Sequence, residues 1–382
     1  MIPFDFQART RIVFGPGKIA ELGQLANELG ARRALVVSDP GIVAAGHTAR
    51  GIESLRAAGV ETHLFDQVAE NPTTEHVERG LEASRHFLPD LLVGLGGGSS
   101  MDCAKGINFV YSGGGRMQDY WGVGKALRPM LPMIAVPTTA GTGSETQSFA
   151  LISDATTHVK MACGDKKAAC RVALLDPELT LTQPPRVTAL TGIDAVAHAV
   201  ETFVTRPRNP VSLAFSREAW RLLYANFPRV LDDPAGLDAR AAMQLGASFA
   251  GLAIENSMLG AAHALANPLT ARYGVPHGEA VALMLPHVVR FNAAQCGAAY
   301  EELCSCAETN GKSPLATGTG ALADFLAALA AKAGLATRLS HSGVAQDNLA
   351  ELAKDAAKQW TAGFNPRPVS EADLLELYRA AY

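Results

Sequence analysis

Strand-like runs stop at Asp176-Pro177 and do not return. Before that point, short β-branched runs alternate with helical patterns. Residues 10–14 read as a strand, G-P-G turns the chain into a helix over 18–29, and Arg33–Val37 is a strand ending at Ser38-Asp39-Pro40. A helix over 44–58, a strand at Glu61–Phe65, and a helix opened by Asn71-Pro72-Thr73, with Thr73 or Thr74 as cap, continue the alternation. Two further apolar runs, L-L-V-G-L-G-G-G-S-S and M-I-A-V-P-T-T-A-G-T-G-S-E, lead into glycine-rich turns. This pattern predicts a Rossmann-like parallel α/β sheet with helices on both faces. After it, alanine-rich helical segments run to the C-terminus, which predicts an all-α second domain. The boundary falls near Gln183-Pro184-Pro185, giving domains 1–183 and 184–382; a chain of 382 residues is long enough to need two.

Leu91-Leu92-Val93 runs straight into Gly94-Leu95-Gly96-Gly97-Gly98-Ser99-Ser100, followed by a helix through Asp102 and Lys105. Strand, glycine turn and helix N-terminus together suit a pyrophosphate, because glycine permits close approach and the first helical N–H groups attract an anion. Ser99 stands where G-x-G-x-x-G has its third glycine, and such a loop is also found as a plain turn. Asp39 closes the second strand, where it can accept hydrogen bonds from an adenosine ribose and repel a 2′-phosphate, favouring NAD over NADP. Asp-Pro-Gly is equally a helix cap, and this acid precedes the glycine loop instead of following it. Thr138, Thr139, Thr142 and Ser144 crowd P-T-T-A-G-T-G-S-E; they suit phosphate and ribose contacts, and suit capping as well.

In the second half, Asp194 and His198 lie four apart in T-G-I-D-A-V-A-H-A-V-E, on one face of a helix. His263 lies in G-A-A-H-A-L-A-N-P-L, and His277 in the turn V-P-H-G-E. A helical Asp-x-x-x-His pair is commonly a surface or capping pair. Here, however, each imidazole is embedded in Ala, Val, Leu and Gly, where it needs a strong polar partner. One carboxylate and three imidazoles make a first shell for Fe²⁺ or Zn²⁺.

Composition excludes other classes. Hydrophobic residues make up 48% and charged residues 18%, with a net charge of −4, so there is no basic excess for nucleic acid and no polybasic segment for a membrane. The N-terminus lacks an apolar signal core, and no apolar run reads as long enough to cross a bilayer. The six cysteines include no C-x-x-C pair, which fits reduced thiols in a cytoplasmic protein.

Taken together, F-G-P-G-K, N-P-T, G-G-G-S-S-M-D, P-T-T-A-G-T-G-S-E, D-P-E-L-T, G-I-D-A-V-A-H-A-V-E, P-H-G-E-A and F-N-P-R-P resemble the iron-containing (group III) alcohol dehydrogenases, of the dehydroquinate synthase-like superfamily. The resemblance spans nearly the whole chain. It implies an NAD(P)-dependent enzyme with its active site in a cleft between an α/β and an all-α domain, commonly as a homodimer. It implies Asp194, His198, His263 and His277 as metal ligands, and Gly97, Gly98, Ser99 and Asp102 at the pyrophosphate and nicotinamide side. Asp39 and Asn71 match positions near the adenosine ribose, and Thr138, Thr139 and Thr142 positions around adenine and phosphates. Lys160 resembles a lysine that reaches the cofactor ribose; Phe149 and Leu179 match pocket-lining positions. One departure stands out: relatives carry H-A-x-A-H-P-L, with a second histidine where this chain has Asn267. Asn267 is one turn beyond His263 and faces the same way unless Pro268 breaks the helix; an asparagine there hydrogen-bonds but does not titrate near neutrality.

The expectation is reversible NAD(H)-linked oxidation of a primary alcohol to an aldehyde, with Fe²⁺ favoured over Zn²⁺ by resemblance alone. A metal-independent reductase on the same fold draws support from Asn267. A dehydroquinate synthase-type lyase would need Lys and Arg around a polyanion, which the alanine-rich metal segments lack. A non-catalytic binding protein would need neither both glycine loops nor a complete ligand set.

Overall fold

The computed structural model describes residues 3–307 and 319–382. The chain divides into two compact units, each treated in its own terms: residues 7–139 with 143–183, and residues 3–6 with 140–142 and 184–382.

The first unit is built on strands β1 (Arg11–Phe14), β2 (Arg33–Val37), β3 (Glu61–Phe65), β4 (Leu91–Gly96), β5 (Gly122–Val123), β6 (Met133–Pro137), β7 (Phe149–Ser153), β8 (Lys160–Gly164) and β9 (Val172–Leu175). Six of them form one all-parallel sheet, ordered β1-β9-β6-β4-β2-β3; the others form a small sheet ordered β5-β8-β7. Helices α1 (Leu22–Glu28), α2 (Pro40–Ala44), α3 (His47–Ala57), α4 (Thr74–Phe87) and α5 (Gly98–Gly113) cover the main sheet. Strand periodicity explains the layering. Ala34, Val36, Leu91, Val93, Ile134 and Val136 pack with Leu22, Leu25 and Leu55 on one side. Leu35, Val37, Leu92, Met133 and Ala135 pack with Val77, Leu81 and Ile107 on the other.

Two expected helices are interrupted. Residues 18–29 form a 3₁₀ turn at Lys18–Glu21 and then α1. The stretch 44–58 is split because Gly46, with φ +79°, breaks the helix between α2 and α3.

The second unit comprises α6 (Pro185–Val204), α7 (Pro210–Asp232), α8 (Leu237–Glu255), α9 (Ala261–Tyr273), α10 (His277–Ser305), α11 (Thr319–Lys332), α12 (Leu349–Ala357) and α13 (Glu371–Ala381). No strand follows Leu175 among the described residues. α6 is the central helix, packed by α7, α8 and α10. Glycines set the approach: a Cβ on Gly192 would lie 2.2 Å from Phe227 of α7, and one on Gly278 only 2.1 Å from the Leu190 carbonyl oxygen. One expectation is corrected here: α6 is long and apolar enough, by length and composition, to cross a membrane. Its apolar character has another cause, since 83% of that window is buried inside the unit, as expected of a core helix.

Candidate active site

In the sheet unit, strand order explains why the acid precedes the glycine loop. The chain moves outward from β2 to β3 and then returns to place β4 on the other side of β2, so the order reverses between β2 and β4. In open parallel sheets, ligands bind beyond the carboxyl ends of the strands at such a reversal. Asp39 follows β2 and Gly97 follows β4, so the two flank that point whatever their order in sequence.

The turn itself needs glycine. Gly96 has φ +152°, and a Cβ there would lie 2.5 Å from Ser100 Oγ and 3.3 Å from Asp39 Oδ2. Gly97 is the N-cap of α5 and supplies no side chain to cap it; Thr139 stands opposite, 3.4 Å from where its Cβ would be. Gly98 opens α5, and the Thr138 N–H donates to the Gly96 carbonyl at 3.0 Å. The Asn71 N–H, on a residue with φ +54°, donates to Ser99 Oγ at 3.3 Å. Asp39 does what a cap does: its Oδ1 accepts from the N–H groups of Gly41 and Ile42 at 3.0 and 3.1 Å. Its Oδ2 accepts from Ser100 Oγ at 3.1 Å, tying the end of β2 to the first turn of α5. Asp39, Asn71, Gly97, Gly98, Ser99, Thr138 and Thr139 are therefore gathered at one end of the sheet.

Other expected positions are spread further. Asp102 accepts from Ser144 Oγ at 2.6 Å and from the Leu151 N–H at 3.2 Å. Burial raises its pKa above the ordinary carboxylate range, against the Lys105 ammonium. Lys105 is wholly buried and donates to the carbonyls of Ser144 and Phe149 at 2.6 and 2.9 Å. Phe149 and Lys160 lie at opposite ends of the β7–β8 ladder, since Phe149 pairs with Gly164 and Lys160 with Ser153. Ser153 in turn bridges to Thr73, so Lys160 shares the end nearer Asn71. Leu179 is fully buried in the core beneath the sheet, and Thr142 belongs with the helical unit.

In the helical unit the geometry is tighter. Pro at the first positions starts α6, which carries Asp194 and His198 one turn apart. α9 carries His263, and His277 is the first residue of α10 after Pro276. Three ring nitrogens converge on Asp194 Oδ1: His263 Nε2 at 3.3 Å, His198 Nε2 at 3.4 Å and His277 Nε2 at 3.8 Å. The His198 and His263 rings stack with centroids 4.9 Å apart, and His277 is tilted against His263 at 5.4 Å. Ligand atoms of Asp194, His263 and His277 all lie within 4.8 Å of one another. Asp194, His198 and His263 are buried, whereas the His277 side chain is 28% exposed.

One carboxylate oxygen has two lone pairs, and three N–H donors would overfill it. A cation among these donors uses all of them at once. Three imidazoles and a carboxylate suit a divalent transition metal, Fe²⁺ or Zn²⁺.

The electrostatics agree. Burial pushes the Asp194 carboxyl up, but the His198, His263 and His277 rings outweigh it and hold it well below the usual range. His198 is lowered, first by burial. Burial also pulls His263 down, yet the Glu201 and Asp194 carboxylates on either side raise it to about 9. At neutral pH the metal-free cluster therefore keeps a proton on His263, and a bound ion must displace it. Affinity for Zn²⁺ is expected to rise by about tenfold per pH unit through neutrality and to level off near pH 9. Titration calorimetry in buffers of different ionisation enthalpy checks this, since close to one proton should be released at pH 7; release of none would place the proton elsewhere.

Glu201 is the residue the sequence reading passed over. It sits three residues after His198 and seven after Asp194, on the same face of α6, and contacts His263 Nδ1 through Oε2 at 2.5 Å. The spacing H-A-V-E was its only signal. Asn267 is one turn beyond His263, and Pro268 does not end α9, which continues to Tyr273. The Asn267 amide is engaged, donating from Nδ2 to Gln359 Oε1 at 3.0 Å.

Such a division of labour, a glycine turn in one unit and a nitrogen-rich donor cluster in the other, is that of a metal-assisted dehydrogenase. Residues 9–177 match the family model described as iron-containing alcohol dehydrogenase, and residues 188–382 match the C-terminal model of the same family. The chain is 33% identical over 373 residues to the NAD-dependent methanol dehydrogenase of Bacillus methanolicus, covering 97% of each. It is 34% identical over 385 residues to the 1,3-propanediol dehydrogenase of Citrobacter freundii, covering 99% of each. The solved alcohol dehydrogenase from Oenococcus oeni superposes with a TM-score of 0.95 at 29% identity, over 100% of both chains. The chain belongs to the iron-containing alcohol dehydrogenase family and is an oxidoreductase acting on CH–OH groups.

Proposed function

We propose that this protein catalyses the reversible NAD(H)-linked oxidation of a primary alcohol to an aldehyde, with Fe²⁺ held by Asp194, His198, His263 and His277. The observation that carries the reading is the convergence of three buried or half-buried imidazole nitrogens on Asp194 Oδ1. The relatives named for methanol and 1,3-propanediol support the alcohol, and the NAD-dependent one supports the dinucleotide. The alcohol loses its hydroxyl proton and a carbinol hydride, giving an aldehyde, NADH and a proton. When bound, a divalent ion would supply Lewis acidity toward the alcohol oxygen, and a nicotinamide would supply the hydride acceptor. Asp194 offsets part of the positive charge, while burial of Asp194, His198 and His263 keeps bulk water from those donors. His277, the partly exposed donor, leaves one side open to a substrate. Asn267 offers a hydrogen bond without a titrating proton.

For the dinucleotide, we assign Gly97, Gly98 and Ser99 to the pyrophosphate and Asp102 to the nicotinamide side. Asn71 and Asp39 go to the adenosine ribose, Thr138, Thr139 and Thr142 to adenine and phosphates, Lys160 to the cofactor ribose, and Phe149 and Leu179 to the pocket wall. The same reading has a dinucleotide domain at 1–183, a metal domain at 184–382, and a homodimer working in the cytoplasm; the six unpaired cysteines are in keeping with that compartment.

The test is elemental analysis of anaerobically purified protein, with NADH formation followed over a panel of primary alcohols. Chelation should abolish turnover and Fe²⁺ should restore it. Undiminished NADH formation in chelated protein would establish the metal-independent reductase instead.

Asp39 offers a second test, because its cap and its charge separate. Asp39→Asn keeps the Oδ1 acceptor for α2 but removes the negative charge that opposes a 2′-phosphate. The ratio of kcat/KM for NADP⁺ over NAD⁺ should rise by about tenfold or more. An unchanged ratio would mean that Asp39 only caps α2 and braces Ser100.

A further inference from the structure

Helix α9 starts at Gly260, which has no side chain with which to cap it. Two of the orphan N–H groups of its first turn are satisfied from far along the chain. The Ala261 N–H donates to Asn365 Oδ1 at 3.2 Å, and the Ala262 N–H donates to Glu201 Oε1 at 2.8 Å. A Cβ on Gly260 would crowd both acceptors, lying 3.0 Å from Glu201 Oε1 and 3.1 Å from Asn365 Oδ1. Asn365 is itself pinned, exchanging two hydrogen bonds with Asn292 at 2.8 and 3.1 Å and donating to the Arg367 carbonyl at 2.6 Å.

The two caps differ in one respect. The side chain of Asn365 hydrogen-bonds to backbone and to another amide, whereas the second oxygen of Glu201 meets His263 Nδ1 at 2.5 Å. A contact this short needs one hydrogen between the two atoms, and with both carboxylate oxygens acting as acceptors it is carried on Nδ1. In the neutral ring the lone pair is then on Nε2, the atom 3.3 Å from Asp194 Oδ1.

We propose that Glu201 is a positioning residue that locks His263 as its Nδ1–H tautomer and so presents Nε2 as a metal donor; this rests on the reading of the four-residue cluster as a metal site. Glu201 thereby sets the start of α9 and the chemistry of the imidazole three residues into it with one carboxylate. Carboxylate–histidine–metal triads raise the basicity of the ring and fix its orientation, and loss of such a partner lowers metal affinity by about 10- to 100-fold.

Glu201→Gln separates the two duties. If the amide oxygen keeps the Ala262 N–H, the amide nitrogen faces Nδ1, which must become an acceptor; the hydrogen moves to Nε2 and the donor is lost. If the amide flips, its oxygen still accepts Nδ1–H, but two N–H groups oppose each other at Ala262, so holding a metal costs the cap and affinity falls all the same. Asn365→Ala is the control, because it removes a cap from the same helix without touching His263.

The experiment measures Zn²⁺ and anaerobic Fe²⁺ affinities of the full chain by chelator competition, together with thermal unfolding of the metal-free forms. It also records the His263 Nδ1–H resonance in ¹⁵N-histidine-labelled, zinc-loaded protein. Glu201→Gln should bind both ions about 10- to 100-fold more weakly and shift or lose that resonance. Asn365→Ala should unfold at lower temperature yet keep its affinity within about threefold and retain the resonance. Wild-type affinity in Glu201→Gln, or equal losses in both variants, would overturn the proposal. A wild-type chain that binds neither ion would overturn the metal reading, and this assignment with it.

Discussion

Asp194→Ala is expected to purify without metal and to oxidise alcohols slower than wild type by about 10³-fold or more, while binding NADH with unchanged affinity. The magnitude follows from the several kcal/mol of charge stabilisation a Lewis acid supplies, at about 1.4 kcal/mol per factor of ten. The cause is local. Asp194 Oδ1 is the atom on which all three ring nitrogens converge, each through its Nε2. Without it, a divalent ion would face three neutral imidazoles in a buried site with no negative charge among its ligands, a costly arrangement. The fold has reason to survive the change: Ala195, Val196, Ala197 and Val200 keep α6 in the core, and Glu201 still neutralises a protonated His263. NADH binding is expected to persist because Asp39, Asn71 and the glycine turn belong to the other compact unit. Elemental analysis, steady-state turnover and NADH fluorescence titration decide the matter. Full turnover by metal-free Asp194→Ala protein would reject the mechanism.

How much of this was legible beforehand depends on range. The sheet was readable because strand and helix periodicities are local, and the helical half because alanine-rich segments show no alternation. The ligand cluster was visible as four residues in apolar settings, two of them one helical turn apart. Their convergence could not be read, since Asp194 and His263 are separated by 69 positions. Glu201 shows the same limit from the other side. Its spacing from His198 was plain, but a carboxylate on a buried helix face means little until the start of α9 is known to lie against it. For Asp39, sequence reasoning weighed capping against ribose binding as alternatives; the residue caps with one oxygen and faces Ser100 with the other. Its odd position before the glycine loop follows from a reversal in strand order, which no local pattern reports. Gly46 interrupts the helix expected over 44–58, where the pattern of apolar residues runs on past the break. α6 reads as a bilayer span by composition for the reason that it is buried on nearly every side.

The complementary variant is Gly96→Val, expected to weaken NADH binding by about a hundredfold or more while leaving metal content at the wild-type level. Gly96 has φ +152°, a conformation that side chains with a Cβ rarely adopt and that is worse still for a β-branched one. Space is lacking as well as conformation. The added Cβ would lie 2.5 Å from Ser100 Oγ and 2.9 Å from Ser100 Cβ, with Asp39 Oδ2 at 3.3 Å. Relief requires the first turn of α5 to move away from the end of β4. That movement would break the Ser100–Asp39 hydrogen bond and misdirect the N–H groups a pyrophosphate would meet. Strain and overpacking of about 3 kcal/mol together correspond to about two orders of magnitude in affinity. Ser100→Ala separates the causes, because it removes the hydrogen bond without crowding and should cost NADH affinity about tenfold at most. Metal content reports on the helical unit, so its retention would show that the loss of NADH is not general unfolding. Wild-type NADH affinity in Gly96→Val would mean that the turn after β4 only joins strand to helix, and the dinucleotide would have to be sought elsewhere on the sheet unit.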